Sequence, residues 1–198
     1  MNFLAHCALA GSNREHLVGG FLGDFVKGPV PEDLPSGIQT GVRLHRRLDA
    51  FSAEQADIRR SVERLPDHLR RVAPVFVDLL ADHFLAIHFQ RMHGEPLQVF
   101  EQHAYHTLGD FRAQFPPRAK RFFDYLQSRA VFSRYTDVES VGGAFERVGE
   151  RLGMPGIANE AMSALSSDYR VFEDDFLRYY PALQDHSRQW LAAAAVHR

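Results

Sequence analysis

The sequence predicts an all-helical protein folded as one domain over residues 1–198, and three observations predict it. No segment keeps up a period-two alternation of apolar and polar residues, so no strand is expected. Apolar residues instead recur three and four apart in run after run, the spacing that lines one face of a helix. Glycine and proline fall between these runs, where helices end and begin. A chain of 198 residues supports one full hydrophobic core and is short for two.

The elements follow in order. Residues 2–10 form a short apolar helix broken by Gly11. Ser12 and Glu15 have capping-box spacing and open a second helix carrying Leu17, Val18, Phe21, Leu22 and Phe25, which stops at Gly28-Pro29. Pro29, Pro31 and Pro35 punctuate a loop. Ser36 then opens a helix that buries Ile38, Val42 and Phe51, with a kink or restart at Ser52 to Glu54. Pro66 suits the first turn of a strongly apolar helix running through Val72, Phe76, Leu80 and Leu85 to Gly94, bent or restarted at Pro74. Residues 97–114, 116–130, 137–152 and 158–195 complete the set. Thr136 with Glu139 makes a second capping-box pattern, and Pro181 is expected to kink the last helix.

Composition excludes several functions. Hydrophobic residues at 45% and charged residues at 24% are ordinary for a globular protein. No apolar run reaches membrane-spanning length, and the first residues lack a secretory signal. With a lone Cys7 no internal disulfide is available, which suits a cytoplasmic protein. A net charge of −2 gives no global reason to bind nucleic acid. Charge is unevenly spread: arginines cluster from Arg43 to Arg71, and Glu173, Asp174 and Asp175 form an acidic group. The arginine run is either a face for an acidic partner or a solvated surface laced with ion pairs.

Histidine is abundant, at 11 residues, and several histidines and aspartates interrupt apolar helices. His6 lies within an apolar turn, and Asp24 interrupts an apolar face. His45 and Asp49 stack four apart on one helix face. Asp78 and Asp82 share a face of the most apolar helix, with His83 about 100° round the axis. Each has a structural alternative: a core histidine bonded to a carbonyl, a cap or a pair with Lys27, an ordinary surface pair. The Asp82-His83 pair demands a partner, because an unpaired buried charge costs several kcal/mol. One divalent cation would satisfy all of these groups together. Imidazole and carboxylate donors suit Mn²⁺, Fe²⁺ or Mg²⁺, and the lack of cysteine ligands argues against a structural zinc. The glycines of Gly19-Gly20-Phe21-Leu22-Gly23-Asp24 lack the Lys-Ser/Thr ending of a phosphate-binding loop and are expected to serve close helix packing.

Met1-Asn2-Phe3-Leu4-Ala5-His6, Gly23-Asp24-Phe25-Val26-Lys27-Gly28, His45-Arg46-Arg47-Leu48-Asp49, Asp82-His83-Phe84-Leu85 and Phe176-Leu177-Arg178-Tyr179-Tyr180-Pro181 resemble the acyl carrier protein phosphodiesterase family. The resemblance covers essentially the whole chain and is closest over its first ninety residues. It implies an HD-domain-like helical bundle and a Mn²⁺-dependent hydrolase acting on holo-acyl carrier protein to give apo-protein and 4'-phosphopantetheine, within lipid metabolism. By motif position it implies His6, Asp24, His45, Asp82 and His83 as metal ligands and Asp24, His45 and His83 as catalytic residues. Asp49 and Asp78 are further ligands or their supports. The order Asp82-His83 departs from the usual His-Asp signature of HD phosphohydrolases. Carrier proteins are acidic, so Lys27, Arg43, Arg46 and Arg47 are expected to receive the partner. The alternative function is an HD-like phosphohydrolase of nucleotides or another small phosphodiester.

Overall fold

The structure, a computed structural model, describes residues 2–196, with the side chain of Val196 left aside. Within them lie ten α-helices and no strand: α1 (Phe3–Ala8), α2 (Arg14–Leu22), α3 (Ser36–Ala53), α4 (Ala56–Glu63), α5 (Ala73–His93), α6 (Leu97–Phe111), α7 (Pro117–Ser128), α8 (Val131–Arg134), α9 (Val138–Arg151) and α10 (Ile157–Val196). Short 3₁₀ turns at Asp67–Leu69 and Arg112–Gln114 link α4 to α5 and α6 to α7. The all-helical expectation is met. Among the described residues no helix is long and apolar enough to cross a membrane.

Helix α5 is the axis of the molecule. It is apolar around most of its circumference, as a helix packed on several sides must be, and it buries Phe76, Leu80, Phe84, Leu85 and Phe89. Helices α1, α4, α9 and α10 all pack on it. Pro74 falls in its first turn, where a missing amide breaks no bond, so α5 starts at Ala73 instead of bending at Pro74. Pro66 precedes the 3₁₀ turn and does not open α5.

Both expected capping boxes give way to the next residue. Asn13 caps α2, its side-chain oxygen accepting from the Glu15 and His16 amides at 2.9 and 3.2 Å. The Glu15 carboxylate accepts instead from the Gly37 amide at the start of α3, 3.0 Å away. Asp137 caps α9 through the Glu139 amide at 3.1 Å, while the Thr136 hydroxyl turns back to the Ser133 carbonyl. Asn and Asp cap as well as Ser or Thr, so spacing alone selected the wrong neighbour. Helix α8, too short to show periodicity, follows Ala130 in the left-handed region (φ 46°). The residue with non-helical dihedrals in α10 is Asp168, not Pro181.

Helices α2 and α3 approach so closely that a Cβ on Gly19 would lie 2.3 Å from the Ile38 carbonyl oxygen and 2.6 Å from the Gly41 Cα. The packing role expected of these glycines is what the structure shows.

Candidate metal centre

Helix α2 packs on both α1 and α3, and beside it three ligand-type side chains of those two helices come together. His6 comes from α1 and His45 from α3, both buried, and Asp49 lies one turn beyond His45. The imidazoles stack with centroids 3.6 Å apart and planes at 17°. Asp49 bridges their edges, Oδ1 lying 3.0 Å from His6 Nε2 and Oδ2 3.3 Å from His45 Nε2. One ligand atom from each residue fits within 4.8 Å of the others. A Cβ at residue 23 would sit 2.2 Å from the His45 ring, so only glycine lets the ring rest against the end of α2.

Hydrogen bonding defines the lone pairs. His45 Nδ1 is 2.8 Å from the Gly20 carbonyl oxygen. A carbonyl only accepts, so Nδ1 donates and the other nitrogen faces the carboxylates. A backbone partner of this kind is how metal-ligating histidines are commonly oriented. Neither ring nitrogen of His6 has a hydrogen bond among the described residues, despite the short approach to Asp49. Burial, helped by the neighbouring His45, lowers His6 to about 3, so its ring is neutral at physiological pH. Burial pushes the Asp49 carboxyl up, but the close approach of the His45 and His6 rings outweighs it and leaves Asp49 well below the usual carboxylate range. A neutral, unsatisfied imidazole facing an ionised carboxylate is a cation-seeking arrangement. The donor set fits a borderline divalent ion.

The other expected ligands stand differently. Asp24 is exposed at the edge of the cluster, its Oδ1 3.9 Å from His45 Nε2. Asp82 is fully buried on α5, and both its oxygens are occupied, accepting from the Leu4 and Ala5 amides at 2.9 Å each. It caps α1 from a distance, since the N-cap residue Asn2 makes no side-chain cap bond there. Burial nevertheless raises Asp82 to about 7, against the pull of those amides. Both nitrogens of His83 are also taken: Nδ1 donates to the Tyr135 carbonyl at 2.7 Å, and Nε2 accepts from the Tyr169 hydroxyl at 2.9 Å. The buried Asp82-His83 pair has partners as physics requires, but they are protein groups. The structure does not bring this pair into the group formed by His6, His45 and Asp49. Burial also raises Asp78, which shares a cleft with Asp24.

That cleft, of about 1110 Å³, opens beside Asp24, with Asn2, Phe3 and Lys27 at the same end. Of the cations expected to receive a partner, Lys27 lines it. Arg46 donates to the Val26 carbonyl at 2.8 Å and so fixes the segment carrying Asp24 and Lys27. Arg43 bonds Gln39 on its own helix, 3.0 Å away; neither it nor the exposed Arg47 lines the cleft. Further along the chain, Arg60 and Arg64 pair with Asp175 of the C-terminal acidic group, at 3.9 and 3.3 Å. Those two clusters answer each other.

Fold and centre together define a class: a helical protein whose two imidazoles and a carboxylate form a candidate divalent-cation centre next to a large cleft. The chain belongs to the acyl carrier protein phosphodiesterase family, whose model matches residues 1–183. It is 31% identical to the acyl carrier protein phosphodiesterase of Salmonella paratyphi A over 184 residues, which cover 92% of this chain and 95% of that protein. It is 30% identical over 188 residues to the protein of the same name from Escherichia coli O45:K1 (strain S88 / ExPEC), covering 94% and 97%. No solved structure matches the chain, and the likeness to HD phosphohydrolases rests on sequence resemblance alone.

Proposed function

We propose that this protein is a metal-dependent phosphodiesterase that hydrolyses holo-acyl carrier protein to apo-acyl carrier protein and 4'-phosphopantetheine. Family membership supports the reaction. The observation that carries the metal is the unsatisfied, neutral His6 held against Asp49 beside His45.

His6 Nε2, His45 Nε2 and Asp49 would hold the ion, with Mn²⁺ as the proposed metal and Fe²⁺ or Mg²⁺ able to use the same donors. Such an ion supplies Lewis acidity at the phosphoryl oxygens and lowers the pKa of water there. The Gly20 carbonyl keeps the His45 ring and its tautomer fixed. Asp24, exposed beside the centre, would orient the attacking water and take its proton. Lys27, lining the same cleft, would hold the phosphodiester anion. Water adds to phosphorus, the bond to the carrier serine oxygen breaks, and that oxygen leaves with a proton as the serine hydroxyl. Asp82 and His83 act through position, Asp82 by fixing the turn that bears His6.

Intact mass measured after incubating holo-acyl carrier protein with enzyme and Mn²⁺ tests the proposal. The phosphopantetheine mass should be lost with metal and retained with excess chelator. Loss unaffected by chelation would remove the metal from the mechanism, and no loss under either condition would remove the function.

A further inference from the structure

The cleft beside Asp24 runs along α7, α8 and α9, and arginines outnumber the acids Asp137 and Glu139 on that wall. Arg118, Arg121, Arg129, Arg134, Arg147 and Arg151 all line it and are all exposed. Some arginines elsewhere pair with acids, Arg14 with Asp110, Arg64 with Asp175 and Arg112 with Asp124, while Arg43 and Arg46 meet Gln39 and the Val26 carbonyl. Among the described residues, no carboxylate lies within ion-pair distance of Arg118, Arg121, Arg129, Arg134 or Arg151, and Arg147 reaches only the Tyr125 hydroxyl, at 3.4 Å. So many unneutralised guanidinium groups along one wall repel each other, and fixed carboxylates from outside would relieve that repulsion. Between them the floor is aromatic, with Phe3 and Phe122 centroids 4.4 Å apart and Phe25 5.8 Å from Phe122.

Resting on the phosphodiesterase reading above, we propose that this arginine wall, and not the Arg43–Arg47 stretch of α3, docks the acidic protein part of the substrate. Guanidinium forks match carboxylates of a partner helix in geometry and charge. The wall and Asp24 belong to one cleft, so a carrier protein gripped there holds its phosphodiester at the end where the candidate centre lies. The aromatic floor gives the apolar stretches of the pantetheine arm a surface to lie on.

Two charge-reversed variants test this, Arg118→Glu/Arg121→Glu and Arg147→Glu/Arg151→Glu, with Arg43→Glu/Arg47→Glu for comparison and the corresponding glutamine pairs as milder versions. Circular dichroism and Mn²⁺ uptake check that each folds. The first readout is fluorescence anisotropy of labelled apo-acyl carrier protein, which carries no phosphate, and the second is kcat/KM on the holo form. The cleft reversals should weaken apo-protein binding and lower kcat/KM by about tenfold or more and flatten their salt dependence, with kcat within about twofold, as rim charges act mainly on encounter. The α3 pair should change neither. Apo-protein binding untouched by the cleft reversals, or a loss carried by the α3 pair, would overturn the docking assignment, as would a wild type that fails to bind apo-protein. A wild type that binds the apo form yet leaves the holo form intact would sink the phosphodiesterase reading while the docking surface stood.

Discussion

At the scale of single residues, burial decides which charged groups are available for chemistry. His6 and Asp82 are both buried, yet their fates differ. Asp82 finds two amides, whereas His6 finds none and faces a carboxylate. From this difference comes a contrast between two variants. Asp49→Asn removes the bridging charge and should weaken Mn²⁺ binding by about tenfold or more, read by calorimetry, with little change in helicity. His83→Phe should leave Mn²⁺ binding nearly unchanged and cost about 1–3 kcal/mol of stability in urea denaturation, because it strands the Tyr135 carbonyl and Tyr169 hydroxyl. Lost metal binding in the histidine variant would return His83 to the ligand set. Which residues were anomalous was legible in the sequence. His6 and His45 do converge, with Asp49 where its four-residue spacing from His45 puts it. How each anomaly is resolved was not legible, since the amides that satisfy Asp82 lie 78 and 77 residues away.

Helices obey rules that are easier to read. Runs of spaced apolar residues located α3, α5 and α9 because burial on one or more sides demands them. Ends were harder, as caps depend on which of two adjacent polar side chains turns inward. The α2–α3 contact is the element on which the centre depends. Gly41→Ala would place a Cβ 2.3 Å from the His16 carbonyl oxygen, forcing the pair apart. It should cost about 1–3 kcal/mol by urea denaturation and weaken Mn²⁺ binding with it. A variant as stable and as metal-competent as the parent would show that the two helices separate freely. The C-terminal end of α5 carries a pH-dependent tie to α10: His93 Nε2 lies 2.8 Å from the Tyr180 hydroxyl, and burial lowers His93 to about 4. A depressed histidine stabilises the fold above its unfolded value near 6.5 and loses that contribution as pH falls toward 4. Thermal midpoints should therefore drop across that window, and His93→Gln should drop less. Parallel pH curves for the two proteins would exclude His93 as a contributor.

Across the whole molecule, charge is sorted by whether it is answered. The arginines of residues 43–71 drew attention by their density, but Arg60 and Arg64 are tied to Asp175 and Arg70 to Asp67. An unanswered set that shares one cleft lies on α7 to α9, where residues 117–134 hold Arg118, Lys120, Arg121, Arg129 and Arg134 against the single acid Asp124, itself bound to Arg112. That local excess was visible in the sequence; the wall it forms was not, because it takes several helices to line one cleft.

The six-residue α1 is too short to hold its own shape in water, and the group that caps it arrives from α5. During synthesis, His6 leaves the ribosome long before Asp82 does. A nascent chain therefore has no formed candidate cation pocket until α5 emerges and docks, and the proposed donors become one assembled set only after that half of the polypeptide has folded.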